Sequence, residues 1–193
     1  MKHIRGGPGG PPGASGPPDW LREQLFARRI ITITGRLDHD TATSVAAQMM
    51  LLDAGGAAPI DVHLDSADGT LEAAFALIDT IDAVRAPVRV HCRGRVGGPA
   101  VAVVAVAPHR SASPHARFRL TEPTVEFAGS PEETLAATRQ HRDLLWRLQA
   151  RIARASGRPT EEVAEDMRRG RWLDADEALV YGLIDTVAPP RAR

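Results

Sequence analysis

The stretch from Val88 to Ala107 reads Val-Arg-Val-His-Cys-Arg-Gly-Arg-Val-Gly-Gly-Pro-Ala-Val-Ala-Val-Val-Ala-Val-Ala, a short strand, a glycine turn and an apolar helix. This is the outline of a nucleophile elbow. Glycines there let the backbone approach a reacting group, and a helix N-terminus just behind offers N–H donors to a developing oxyanion. The turn itself is Gly97-Gly98-Pro99 and carries no Ser, Cys or Thr. Candidate nucleophiles nearby are Ser66, Thr70, Cys92 and Thr121, and seven histidines could act as bases. A working site needs the nucleophile, its base and a group that orients the base, so relocation would take three coordinated gains. Ser66, in an acidic turn, is expected to bond local backbone. Cys92 is expected to face the sheet packing, and His63 and His91 fall on strands.

The elements that must hold these groups follow from pattern. Arg29 to Thr34 is β-branched and ends at Gly35, which predicts a first strand. A helix follows, with Asp40 as its cap, Val45, Met49, Leu51 and Leu52 as its apolar face, and Gly55 and Gly56 as its stop. Ile60 to Leu64 is the second strand, Asp65-Ser66-Ala67-Asp68-Gly69 a turn, and a helix with Leu71, Phe75, Leu77, Ile78 and Ile81 comes next. Val88 to Cys92 is the third strand. Steady alternation of strand and helix argues for a parallel sheet.

The second half reads as mostly helical. Ser130-Pro131-Glu132-Glu133 combines an N-cap, a first-turn proline and a third-position glutamate, so a helix runs from 131 to 156, stopped by Gly157. Leu144, Leu145, Leu148 and Ile152 form its stripe, with Trp146 beside them. Thr160 to Arg169 is a further helix ended by Gly170, with Arg168, Arg169 and Arg171 favouring the helix dipole. Asp174 opens another helix through a capping box, and Leu183 to Val187 is a last strand, with Asp185 closing the final turn. Residues 3 to 18, rich in Gly and Pro, predict a disordered tail over 1–18 ahead of one domain over 19–190.

Composition narrows the function classes. A chain of 193 residues can bury a core without disulfides or structural metal. Cys92 is the only cysteine, which fits a reducing compartment. Lys plus Arg equals Asp plus Glu at 24 each, so no global field draws nucleic acid or an anionic membrane. Apolar runs are too short to span a bilayer, and no secretory signal is visible, so the expected location is cytoplasmic. No phosphate loop, dinucleotide fingerprint or clustered metal spacing occurs, and neither cofactor nor metal is expected.

Several blocks, in order, resemble the ClpP peptidase family, the proteolytic subunit of the Clp protease. Arg29-Ile-Ile-Thr-Ile-Thr-Gly35 is similar to that family's opening strand. Asp65-Ser66-Ala67-Asp68-Gly69 stands where the family has Asn-Ser-Pro-Gly-Gly, and Ile78-Asp79-Thr80 where it has Tyr-Asp-Thr. Arg171-Trp172-Leu173 through Gly182-Leu183-Ile184-Asp185 matches its last helical block. The resemblance covers Leu25 to Val187. It implies an α/β fold of the ClpP/crotonase type, a spiral of repeated β-β-α units with a protruding handle helix over 131–156.

Carried over position by position, the resemblance puts the family's triad serine on Gly98, its histidine on Thr121 and its aspartate on Gly170. One family oxyanion donor falls on Pro99, which has no N–H. The other survives as Gly69, beside Asp68, whose charge would oppose an oxyanion if it pointed inward. No catalytic residue is therefore expected. The resemblance implies a structural or regulatory ring subunit, in homo- or hetero-oligomers with ClpP-type chains and facing an AAA+ unfoldase, without nucleic-acid or membrane partners. Two alternatives stay open. One is a serine-type peptidase with a relocated site. The other is a crotonase-like acyl-CoA enzyme, whose glycine-rich turn Gly94-Arg95-Val96-Gly97-Gly98-Pro99 resembles and in which Glu122 or Asp68 would be acid or base.

Overall fold

The computed structural model describes residues 18–126 and 128–189, so all but the last residue of the expected tail lies outside the described residues. The chain order is α1 (Asp19–Phe26), β1 (Ile30–Thr34), α2 (His39–Ala54), β2 (Ile60–Ser66), α3 (Leu71–Ala83), β3 (Val88–Gly97) and α4 (Ala100–Val106). Then come β4 (His109–Ala112), β5 (Arg117–Arg119), α5 (Pro131–Ser156), α6 (Thr160–Arg169), β6 (Trp172–Leu173), α7 (Ala175–Tyr181) and β7 (Thr186–Val187).

The sheet is α/β in character: β1-β2-β3-β4-β7 are parallel neighbours, with β5 added to the far end of β3 and β6 antiparallel to β5. Parallel pairing needs long crossovers, and α2 and α3 supply two of them. Alternation along each strand sends Ile31, Ile33, Ile60, Val62, Leu64, Val88, Val90, Cys92 and Val96 into one core with α2, α3 and α4. Helix α4 is buried along Ala100–Ala105, as an all-apolar helix must be.

Several local expectations are corrected. Asp38, not Asp40, caps α2: its extended backbone lets its carboxylate accept the Thr41 N–H at 2.9 Å. Asp40 lies inside the first turn, where its charge still favours the dipole. Leu51 is 63% exposed. The buried stripe of α2 is Ala42, Val45, Met49 and Leu52, and a residue one step before Leu52 lies about 100° away around the helix. Strand β3 does not stop at Cys92 but continues to Gly97, because β5 pairs with Arg95, Val96 and Gly97. The last strand is only Thr186–Val187. Asp185 does more than close a turn: it accepts the Arg110 N–H and pairs with the Arg110 guanidinium.

Helix α5 begins with the reciprocal Ser130–Glu133 capping box and ends at Gly157, whose φ of 69° is the left-handed conformation that glycine adopts freely. Only its C-terminal half reaches the core, through Leu148, Ile152 and Ala153, with Leu144 and Leu145 half-buried and Trp146 48% exposed. Full burial of Leu148 and of Ile152 contributes about 1.5–3 kcal/mol each by leaving water.

Candidate functional site

The elbow forms at the end of β3. Gly97 is closely packed: a Cβ there would stand 2.5 Å from the Ala67 carbonyl oxygen, so only glycine fits. Gly98 differs. Its φ is 55°, but a Cβ would meet nothing nearer than 3.8 Å, the nearest atoms being Asp68 Oδ1 and the Thr121 carbonyl oxygen, with Thr121 Cγ2 at 3.9 Å. The turn thus has room for a side chain at 98 and holds none.

Strand β5 ties the expected positions together. Gly98 N–H donates to the Arg119 carbonyl at 3.1 Å, and Leu120 N–H donates to the Arg171 carbonyl at 2.8 Å. These two bonds place Thr121 against Gly98 and bring the loop carrying Gly170 onto β5. At Gly170 the φ is 67°, and Arg119 Nη2 lies 3.4 Å from where a Cβ would be, so a guanidinium fills the space beside that glycine. Arg119 also lies 5.4 Å above the Trp172 ring centroid. No sequence signal pointed to Arg119, because β5 is too short to recognise by pattern.

Asp68 faces this turn. Its Oδ1 accepts the Gly69 N–H at 2.7 Å, and its Oδ2 is 4.0 Å from Arg36 Nε. Gly69 is itself pinned, since a Cβ there would lie 2.6 Å from the Leu37 carbonyl oxygen. Pro99 follows Gly98 and precedes α4, offering no N–H at that position. A cavity of about 400 Å³ opens beside Gly69, lined by Arg36, Thr70, Leu71, Val125 and His141 among others.

The remaining candidates are engaged elsewhere. Ser66 is fully buried and its hydroxyl donates to the Asp68 carbonyl at 3.0 Å. Thr70 caps α3, accepting the Ala73 N–H at 3.2 Å. Cys92 is buried, and burial pushes its thiol pKa up, away from thiolate chemistry. Glu122 is exposed, and the Thr121 hydroxyl lies 3.5 Å from the Glu122 carbonyl. His63 and His91 sit edge to face on the sheet, centroids 5.9 Å apart, away from the elbow. Among the described residues no cluster of His, Cys, Asp or Glu could hold a metal ion, and no helix is long and apolar enough to cross a membrane.

An α/β sheet whose third strand turns through glycines into a buried helix defines a structural class, the strand-turn-helix elbow of α/β proteins. Within that class the chain belongs to the Clp protease family, whose model matches residues 19–191. It is 30% identical over 167 residues to the ATP-dependent Clp protease proteolytic subunit of Porphyromonas gingivalis, covering 85% of this chain and 75% of that one. It is 29% identical over 175 residues to the ATP-dependent Clp protease proteolytic subunit of Leuconostoc citreum, covering 86% of each chain.

Proposed function

We propose that this chain is a non-catalytic member of the Clp protease family, a structural or regulatory subunit of a ring assembled with ClpP-type chains. Its working unit runs over 19–190, with 131–156 as the protruding handle and 1–18 as a tail. The family match over 19–191 supports that unit.

The observation that carries the reading is the elbow. Gly98, Thr121 and Gly170 stand at the positions that match the family's triad, and neither glycine nor threonine can supply a serine nucleophile, an imidazole base and a carboxylate orienter. The oxyanion donors are lost in parallel. Pro99 has no N–H, and the Gly69 N–H is already taken by the Asp68 carboxylate at 2.7 Å. Losing the nucleophile or the base alone costs about 10⁶ in turnover, and loss of one oxyanion donor in an otherwise intact site costs about 10²–10³. Function then rests on assembly, with an AAA+ unfoldase and active ClpP-type chains as the partners.

Co-expression with the active Clp proteolytic subunits of the same organism, followed by native mass spectrometry and a fluorogenic peptidase assay, tests this. Mixed rings with altered peptidase activity are the expected result. A purified chain that hydrolyses the peptide, and loses that activity on Thr121→Ala or Ser66→Ala, would overturn the reading, as would a strict monomer in the presence of the active subunits.

A further inference from the structure

Parallel sheets are as a rule covered on both faces. Here the core residues of β2 and β3 point to one side, while Asp61, His63, Asp65, Arg89, His91, Arg93 and Arg95 point to the other, where all are half-buried or exposed. The part of this face near the strand starts is internally satisfied. Arg89 pairs with Asp61 at 3.3 Å. His91 Nδ1 and Nε2 lie 2.9 and 3.1 Å from the hydroxyls of Ser111 and Ser113.

The other end is not. Arg93, Arg95 and Arg117 are exposed, and among the described residues none of their guanidinium groups has a carboxylate within ion-pair distance. Arg95 on β3 and Arg117 on β5 are register partners, so two like charges stand side by side on neighbouring strands. That arrangement destabilises the free sheet. The Asp65 carboxylate is held by the main chain, its Oδ1 accepting the backbone N–H of Arg95 at 2.9 Å, and it makes no ion pair with the Arg95 or Arg117 guanidinium.

We propose that Arg93, Arg95 and Arg117 form a docking surface for an acidic segment of a partner protein, a run of Asp or Glu side chains. Guanidinium forks match carboxylates in shape and charge, and a planar sheet face suits an extended segment. Each incoming carboxylate also relieves the Arg95–Arg117 repulsion. A polynucleotide fits less well, since the chain as a whole carries no net charge. The proposal is independent of whether the elbow is catalytic.

The full chain is titrated against fluorescein-labelled hexaglutamate at low salt and read by fluorescence anisotropy. Binding that weakens as salt rises is expected, and the double variant Arg95→Gln/Arg117→Gln should bind about tenfold more weakly, the effect of losing two exposed charge pairs. Its Tm should not fall, because a repulsion has been removed. Arg117→Gln alone is the second variant, with a smaller loss in the same direction. Absence of hexaglutamate binding, or equal binding by both variants, overturns the proposal. So does tighter binding of a labelled oligothymidylate, which would make the face a nucleic-acid surface. A change in sedimentation of the variants without a change in peptide binding also overturns it, in favour of a contact between copies of this chain.

Discussion

The Asp68 carboxylate accepts the backbone N–H of Gly69 at 2.7 Å, with the same oxygen 3.8 Å from the Cβ position of Gly98. An internal anion thus occupies a donor that faces the empty elbow. Whatever binds beside Gly69 meets a hydrogen bond already made and a negative charge already in place.

This arrangement predicts how the site responds to rebuilding. Gly98→Ser/Thr121→His/Gly170→Asp supplies the three side-chain types of a triad at the positions proposed to match it, yet this triple variant should hydrolyse fluorogenic peptides at background rate. Adding Asp68→Gly frees the Gly69 N–H, and adding Pro99→Met supplies a second N–H. Each addition should raise turnover, on the scale of the roughly 10²–10³ that an oxyanion donor contributes. Appearance of activity in the triple variant alone would show that Asp68 and Pro99 do not obstruct the site.

Adjacent glycines should tolerate substitution very differently. Gly98→Ser places its Cβ in ordinary van der Waals contact, nothing nearer than 3.8 Å, and meets only the cost of a left-handed φ, about 1–2 kcal/mol. Gly97→Ser drives a Cβ to 2.5 Å from the Ala67 carbonyl and must displace backbone, so its cost should reach about 3 kcal/mol or more. Urea unfolding of the two variants measures the difference. Equal midpoints would contradict the packing at the elbow.

Legibility in the sequence followed the strength of local signals. The Ser130 and Asp174 capping boxes, the αL glycines 157, 170 and 182, and the strand-helix alternation through Cys92 are local chemistry, and each appears in the fold. What depended on distant partners was hidden. Strands β4, β5 and β6 span Ala112, Phe118 and Leu173 in runs too short for periodicity, and exist because β3 and one another pair with them. The same holds at the site. The absence of a nucleophile at Gly98 is plain in the sequence, whereas the Asp68–Gly69 bond depends on the conformation of its turn and the guanidinium beside Gly170 on the docking of β5.

Arg29 should be irreplaceable by lysine. It is the single described non-glycine residue with positive φ, 61°, and its guanidinium donates to the carbonyls of Leu52, Gly56, Ala58 and Pro59 at 2.7–3.1 Å. These bonds seal the end of α2 and the loop into β2. A lysine ammonium is a single point that cannot spread over four acceptors in that planar geometry. Arg29→Lys should therefore cost about 2–3 kcal/mol, read as a fall in the urea midpoint. Arg29→Gly should cost as much although it relieves the φ, and a neutral outcome for either would reduce the clamp to a surface contact.

The histidine pair on the open sheet face should give stability a pH dependence. Burial lowers the pKa values of His63 and His91 below the ordinary 6.5, Arg93 lowers both further, His91 adds to the effect on His63, and Asp61 opposes it at His63. A depressed histidine pKa means the folded chain binds fewer protons than the unfolded one between the two values, so stability rises with pH there. The contribution is complete above 6.5 and is lost as pH falls below it. The slope cannot exceed about 1.4 kcal/mol per pH unit for each histidine. Carboxylates titrate lower and contribute their own slope, so the decisive comparison is between wild type and His63→Asn/His91→Asn, unfolded in urea at a series of pH values from about 5 to 7. The double variant should show a flatter profile, even if its absolute stability drops through loss of the Ser111 and Ser113 contacts. Arg93→Gln should flatten the profile, because it removes a charge that disfavours both imidazolium ions, so their folded pKa values move up toward 6.5 and less stability is lost on acidification. Profiles that coincide for all three proteins would mean that neither ring titrates differently on folding.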